Sequence, residues 1–140
     1  MKDRTDVTNL IAPLKKLAKV SKAKLCGVAC FIVKNGAVIS SGINHHPNGG
    51  PMEKEIDGKL VTCPEVLHAE ITALQLAEKN RIDLTDSAIL LNMAPCINCA
   101  KEIAKTDISE LYYLHDWWDK ASLDVLKDNG IKVHKIKEEK

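Results

Sequence analysis

Three short pieces of this sequence carry groups that could do chemistry together: His68-Ala69-Glu70, Pro95-Cys96, and Cys99 three positions further on. One imidazole and two thiols make a zinc donor set. Three protein ligands leave a fourth position open, as in a catalytic zinc site rather than a closed structural one. Cys96 and Cys99 are spaced i, i+3, so a helix would project both toward a single ion. Near a helix start, backbone N–H groups and the positive end of the dipole favour the thiolate. Two thiolates cancel the charge of the zinc, which still acidifies water in the open position. Glu70, two residues after His68, points away from the ligand's own direction but into the same cleft. That suits a carboxylate that moves protons and does not bind the metal. The expected set is one zinc ion per subunit held by His68, Cys96 and Cys99, with Glu70 catalytic.

These residues must be positioned by regular elements, and the chain signals a series of them. Thr8 can cap a helix over residues 9–20, with Leu10, Leu14, Leu17 and Ala18 on one face. Residues 25–33 read as an apolar strand, Asn35-Gly36 as a hairpin turn, and residues 37–41 as its second strand. Residues 44–64, rich in Gly, Pro and His, read as a long functional loop. A helix over 66–79, a strand over 88–93, a helix over 96–105 opened by Pro95, and a strand over 111–114 follow. Asp119 can cap a helix that runs to Asn129, where Gly130 suits a left-handed stop before a last strand over 131–136. The order α-β-β-α-β-α-β-α-β predicts a three-layer α/β/α fold around a five-stranded mixed sheet. Its first hairpin is antiparallel and its later strands are parallel.

The bulk composition bounds the function. A single domain over residues 1–140 is expected, with 45% apolar residues to build its core. The net charge of +1 argues against a nucleic-acid partner, and the lysines of the C-terminal run alternate with acidic residues. No apolar run reaches the ~18 residues of a membrane span. The charged start, Met1-Lys2-Asp3-Arg4-Thr5-Asp6, does not read as a signal peptide. Five cysteines without such a signal suit a reducing, cytoplasmic setting, where thiols are ligands or buried groups.

His-Ala-Glu followed by Pro-Cys-x-x-Cys resembles the signature of the zinc-dependent nucleobase deaminases. The chain is most similar to the cytidine/deoxycytidylate branch. Val28-Ala29-Cys30-Phe31-Ile32-Val33-Lys34-Asn35-Gly36 resembles that family's first hairpin. Ser41-Gly42-Ile43-Asn44 resembles its Gly-Tyr-Asn segment, with Ile43 in place of Tyr, and Cys63-Pro64-Glu65-Val66-Leu67-His68 resembles the approach to its signature. The resemblance implies hydrolysis at C4 of cytosine, with Glu70 protonating N3 and then the leaving ammonia. It implies a nucleotide substrate, dCMP above all, and a homo-oligomer, commonly a hexamer. The cytoplasm would be the host's if a phage encodes the chain. Asn44 is the leading substrate contact, with Ala69, Pro95, His45 and Trp117 as further candidates.

Several positions keep two readings. The segment before the first strand, Ser21-Lys22-Ala23-Lys24-Leu25-Cys26, lacks the Arg that family members often carry there. Lys22, Lys24 or loop N–H groups must then do more of any phosphate binding. Cys63 could close the zinc site or bind a second metal with the loop histidines, and Cys26 and Cys30 read better as core. His115 and His134 read as structural. Modified dCMP, cytidine or cytosine, and tRNA adenosine are alternative substrates, and an inactive zinc-stabilised nucleotide-binding module is the alternative of another class.

Overall fold

Asn35 and Gly36 take φ of 53° and 81°, the left-handed pair that a tight hairpin needs. They join β1 (Ala29–Lys34) to β2 (Ala37–Ile43) in antiparallel register, with a bulge between Ile32 and Val33. A computed structural model describes residues 7–116 and 120–137 of the chain. The remaining elements are α1 (Ile11–Ala18), β3 (Glu53–Ile56), β4 (Lys59–Thr62), α2 (Ala69–Lys79), β5 (Ala88–Met93), α3 (Ile97–Ala104), β6 (Glu110–His115), α4 (Ala121–Asp128) and β7 (Lys132–Lys135).

The main sheet has the order β2-β1-β5-β6-β7. β5 runs antiparallel to β1, whereas β5–β6 and β6–β7 are parallel, each pair joined through a helix. The five-stranded mixed sheet and the parallel last strand therefore match the sequence expectation. Strand direction changes between β1 and β5, so the start of β1 lies beside the end of β5.

Alternate residues of the central strands feed two cores. Cys30, Ile32, Ile89, Leu91 and Leu111 pack against Ala69, Ala73 and Ala77 of α2, Ala100 and Ile103 of α3, and Leu123 and Leu126 of α4. Ala29, Phe31, Val33, Leu90 and Tyr112 face the other way, against Leu14 and Ala18 of α1. This period of two buries both faces of the sheet. Burying Leu14 completely stabilises the α1 face by about 2 kcal/mol. The alanines of α2 let its axis lie close to the sheet. At Gly42 a Cβ would meet the Ala69 carbonyl oxygen at 2.6 Å and the Ala73 nitrogen at 2.8 Å, so only glycine lets the first turn of α2 rest on β2. Ser40 Oγ donates to the Ala73 carbonyl at 2.7 Å and ties the same two elements.

Four local readings need correction. The first helix opens as a 3-10 turn, Thr8–Leu10, with Thr8 inside the turn and no side-chain cap on α1. Strand β1 starts at Ala29 rather than Leu25, because residues 26–29 are held by side chains, as described below. Residues 44–64 are not one irregular loop. They contain the β3–β4 hairpin, turned by Asp57 and Gly58 at φ 52° and 79°, an Asp-Gly hairpin signal that the loop reading passed over. The helix over 96–105 starts one residue later, with Cys96 as its cap. Gly130 has the expected positive φ of 82°, while Asp119, read as the cap of α4, lies outside the described residues. Among the described residues no helix is long and apolar enough to cross a membrane.

Candidate active site

His68 and Cys96 occupy equivalent positions. Each is the extended N-cap residue of its helix, with φ/ψ of −78°/154° before α2 and −74°/170° before α3. Each N-cap carbonyl accepts the first helical hydrogen bond, from Thr72 and Ala100 respectively. Neither side chain caps its own helix, so both are free to turn to each other across the gap between the two helix starts. Two antiparallel backbone bonds between His45 and Leu67, at 3.0 and 2.8 Å, tie the residue before His68 to the chain leaving β2. Pro95, fully buried, precedes the Cys96 cap.

Cys99, one turn into α3, completes the cluster. His68 Nδ1 lies 3.7 Å from Cys96 Sγ and 3.2 Å from Cys99 Sγ. Zn–S and Zn–N bonds of ordinary length at a tetrahedral angle would separate N and S by about 3.5 Å, so the spacing fits zinc. One ligand atom from each residue lies within 4.8 Å of the others. Among the described residues this is the one such gathering of His, Cys, Asp or Glu groups. Cys63 and the loop histidines are not part of it.

The electrostatics divide the cluster into distinct roles. The hydrogen bond between the two thiols lowers Cys96 to about 4 and raises Cys99, so Cys96 is the thiolate of the metal-free pair. Hydrogen bonding to Cys96 raises His68. Glu70 is 3% exposed, and burial pushes its carboxyl up to about 7, against hydrogen bonding to its own backbone and the nearby His68. A carboxyl poised near neutrality can both take and give a proton. Cys30, buried beneath the site, is raised by burial and by the Glu70 charge, and stays a core thiol as expected.

His68, Ala69, Glu70 and Cys96 line one end of a cavity of about 340 Å³. Asn44 lines it too, but both ends of its amide are engaged. Asn44 Oδ1 accepts the Val28 N–H at 2.9 Å, and Nδ2 donates to the Cys26 carbonyl at 2.9 Å. Asn92 of β5 treats the other edge alike: Oδ1 accepts the Ala29 N–H and Nδ2 donates to the Gly27 carbonyl, both at 2.9 Å. Of the other expected contacts, His45 and Pro95 do not line the cavity. His45 Nδ1 lies 3.0 Å from the Ile43 carbonyl, and Trp117 lies outside the described residues. The rest of the wall comes from Leu25, Met52, Glu53, Thr62 and Val66, which sequence reasoning did not select, and from Cys26, which is half-buried at the cavity and not in the core as expected. The Asp57-Gly58 turn could have located the hairpin that brings Glu53 and Thr62 there; no local signal marks Asn92.

The family model "Cytidine and deoxycytidylate deaminase zinc-binding region" matches residues 4–115. The chain belongs to the cytidine and deoxycytidylate deaminase family. Its metal is zinc, as the matched region and the His-Cys-Cys group agree. An uncharacterized deaminase of Aliivibrio fischeri is 30% identical over 122 residues, covering 81% of each chain. The deoxycytidylate deaminase of Saccharomyces cerevisiae is 33% identical over 118 residues, covering 78% of this chain but 38% of the yeast protein. Among solved structures, the dCMP deaminase of cyanophage S-TIM5, in complex with dCMP and dUMP, superposes with a TM-score of 0.83 at 31% identity. That match covers 95% of this chain and all of the phage protein.

Proposed function

We propose that this chain converts dCMP and water to dUMP and ammonia, with His68, Cys96 and Cys99 holding the zinc and Glu70 moving the protons. The observation that carries the reading is the buried Glu70 carboxyl at the end of a cavity whose rim also holds the His68 and Cys96 donors. Likeness to the deoxycytidylate deaminase of yeast and the cyanophage dCMP deaminase supports the substrate. Zinc supplies Lewis acidity that makes water a nucleophile near neutral pH. Glu70 takes a proton from the attacking water and gives it to N3 of the cytosine, then carries the remaining proton of the new C4 hydroxyl to the amine, which leaves as ammonia as the C4 carbonyl forms. Burial of Glu70 keeps bulk water from competing for these protons. Ala69 and Asn44 lie along the cavity wall and would border the base and sugar, Asn44 by shaping the wall with an amide that is already engaged.

The test is a substrate panel. Zinc-loaded protein is incubated with dCMP, CMP, dCTP, deoxycytidine, cytosine and a tRNA anticodon stem, and ammonia and product are measured. dCMP is expected to give the highest kcat/KM. Turnover of cytosine or deoxycytidine alone would replace the nucleotide reading, and no turnover with stoichiometric zinc would overturn the enzyme reading.

We further infer a homo-oligomer working in a reducing cytoplasm. Five free thiols suit that setting, and Ile56, Leu60 and Val61 of the β3–β4 hairpin expose 40–45% of their surface as apolar area suited to a second copy. Light scattering on the eluting protein reads the number of subunits directly.

A further inference from the structure

A nucleotide brings a phosphate into the cavity, yet among the described residues neither Lys nor Arg lines it. The wall carries a carboxylate instead. Glu53 Oε2 accepts two consecutive backbone N–H groups, Lys24 at 2.8 Å and Leu25 at 3.1 Å. Successive N–H groups converging on one oxygen form a small anion cradle. Two N–H groups further along the same segment, Val28 and Ala29, are committed to asparagine side chains. The Lys24–Leu25 pair is thus a cradle at the cavity wall that already holds an anion, and that anion belongs to the protein.

The element that carries Glu53 is loosely placed. β3 and β4 pair only with each other and form a sheet separate from the main one. β4 is exposed along its whole length, as is β3 beyond Glu53. Beside Glu53 the hairpin is held by the buried Met52, whose carbonyl accepts the Cys63 N–H at 2.8 Å across the base of the hairpin. Withdrawing Glu53 therefore breaks two hydrogen bonds and disturbs little packing. A phosphate oxygen offers the same acceptor chemistry with more charge; the exposed Lys22 precedes the cradle, and the side chain of Lys24, a cradle residue, is exposed as well.

We propose that Glu53 is an internal stand-in for the substrate's phosphate. It occupies the Lys24–Leu25 cradle, the phosphate of the nucleotide displaces it, and Glu53 thereby sets the preference between nucleotide and nucleoside. This rests on the dCMP reading above. In the absence of substrate, Glu53 keeps the segment before β1 ordered. When a nucleotide enters, the carboxylate must leave, and its charge opposes the incoming phosphate. A nucleoside leaves the Glu53 contact untouched.

The test is equilibrium binding of the product dUMP and of deoxyuridine to zinc-loaded wild type, Glu53→Gln and Glu53→Ala, by calorimetry. Gln keeps an acceptor for the cradle and removes the charge. The expected result is about a tenfold gain in the dUMP-to-deoxyuridine affinity ratio in Glu53→Gln, the size of one charge-assisted hydrogen bond, with deoxyuridine binding unchanged. Glu53→Ala should raise the ratio as well. An unchanged or lower ratio overturns the proposal, and so does an equal loss for both ligands, which would make Glu53 a structural tie only. A measurement on the wild type needs no variant: dUMP and inorganic phosphate should shift the amide resonances of Lys24 and Leu25, and deoxyuridine should not. Amides that stay in place with dUMP bound overturn the proposal. Failure of the substrate reading is distinguishable, because it appears as absent dCMP turnover in the wild-type enzyme.

Discussion

Asn44 and Asn92 grip one stretch of chain from its two edges. Asn44, just past β2, takes the Cys26 carbonyl and the Val28 N–H, while Asn92, on β5, takes the Gly27 carbonyl and the Ala29 N–H. β1 lies between β2 and β5, so the two amides extend its hydrogen-bonding pattern past the end of the backbone ladder. Residues 26–28, of which Cys26 and Val28 line the cavity, are held by these two side chains and by the Asn44 backbone N–H, which donates to the Val28 carbonyl at 3.2 Å. Replacing Asn92 by Ala leaves the Ala29 N–H and the Gly27 carbonyl without their partner. At about 1–3 kcal/mol for each unmade bond, we expect a stability loss of about 2–6 kcal/mol. A lower urea midpoint at unchanged m-value is the readout; a midpoint equal to that of wild type would mean that water replaces the amide.

Glu70→Gln keeps the shape of the side chain and removes its proton chemistry. kcat is expected to fall about 10²–10⁴-fold, with zinc still at one ion per chain by elemental analysis. Loss of the metal together with activity would instead make Glu70 a ligand.

The same residue predicts a pH dependence in the metal-free protein. The folded value of about 7 lies above the ordinary 4.5, so the stability that protonated Glu70 contributes is full below about 4.5 and is lost as pH rises through about 7. Between those limits wild type should lose stability relative to Glu70→Gln, as read by thermal melts of the chelated proteins across pH 4–8. Parallel curves would show that the carboxyl ionises without cost.

Removing zinc should expose one reactive thiol. Cys96 lies near 4, and it is half-buried, whereas Cys30 and Cys99 are buried and raised. Iodoacetamide should therefore label Cys96 first in the chelated protein, even at pH 6, and zinc should protect it. Peptide mapping that finds Cys63 or Cys26 labelled ahead of Cys96 would contradict the assignment of the thiolate.

Gly42→Val tests the seat of α2. Its side chain would collide with the backbone of Ala69 and Ala73, which lies under 3 Å from the position of a Cβ. Relief requires α2 to move, and His68 and Glu70 move with it. We expect a loss of about 1–3 kcal/mol in stability and weaker zinc retention under competition with a chelator. Full retention of zinc and activity would show that the first turn of α2 has slack.

The metal cluster was legible because its information is local. His68-Ala69-Glu70 and Pro95-Cys96-x-x-Cys99 each fit within one turn of a helix start, and turn chemistry at Asn35-Gly36 and Gly130 fixed the elements around them. The β3–β4 hairpin was hidden because its strands are short and mostly solvent-facing, so they lack the apolar alternation that marks a buried strand. The duties of Asn92 and Glu53 were unreadable for a different reason. Their partners lie 63–65 and 28–29 positions away, and nothing in their own neighbourhood names those partners. Asn44 was selected through resemblance; its hold on Cys26 and Val28 became visible only in three dimensions.

The separateness of the β3–β4 hairpin makes it a place to build. Gly58 at its tip meets nothing within 4 Å of a would-be Cβ, and both strands pair only with each other. A foreign segment grafted between Asp57 and Gly58 would leave the main sheet in register. A dye attached at that graft would convert a small rearrangement around Glu53 into an optical signal, turning the chain into a sensor for the nucleotide proposed as its substrate.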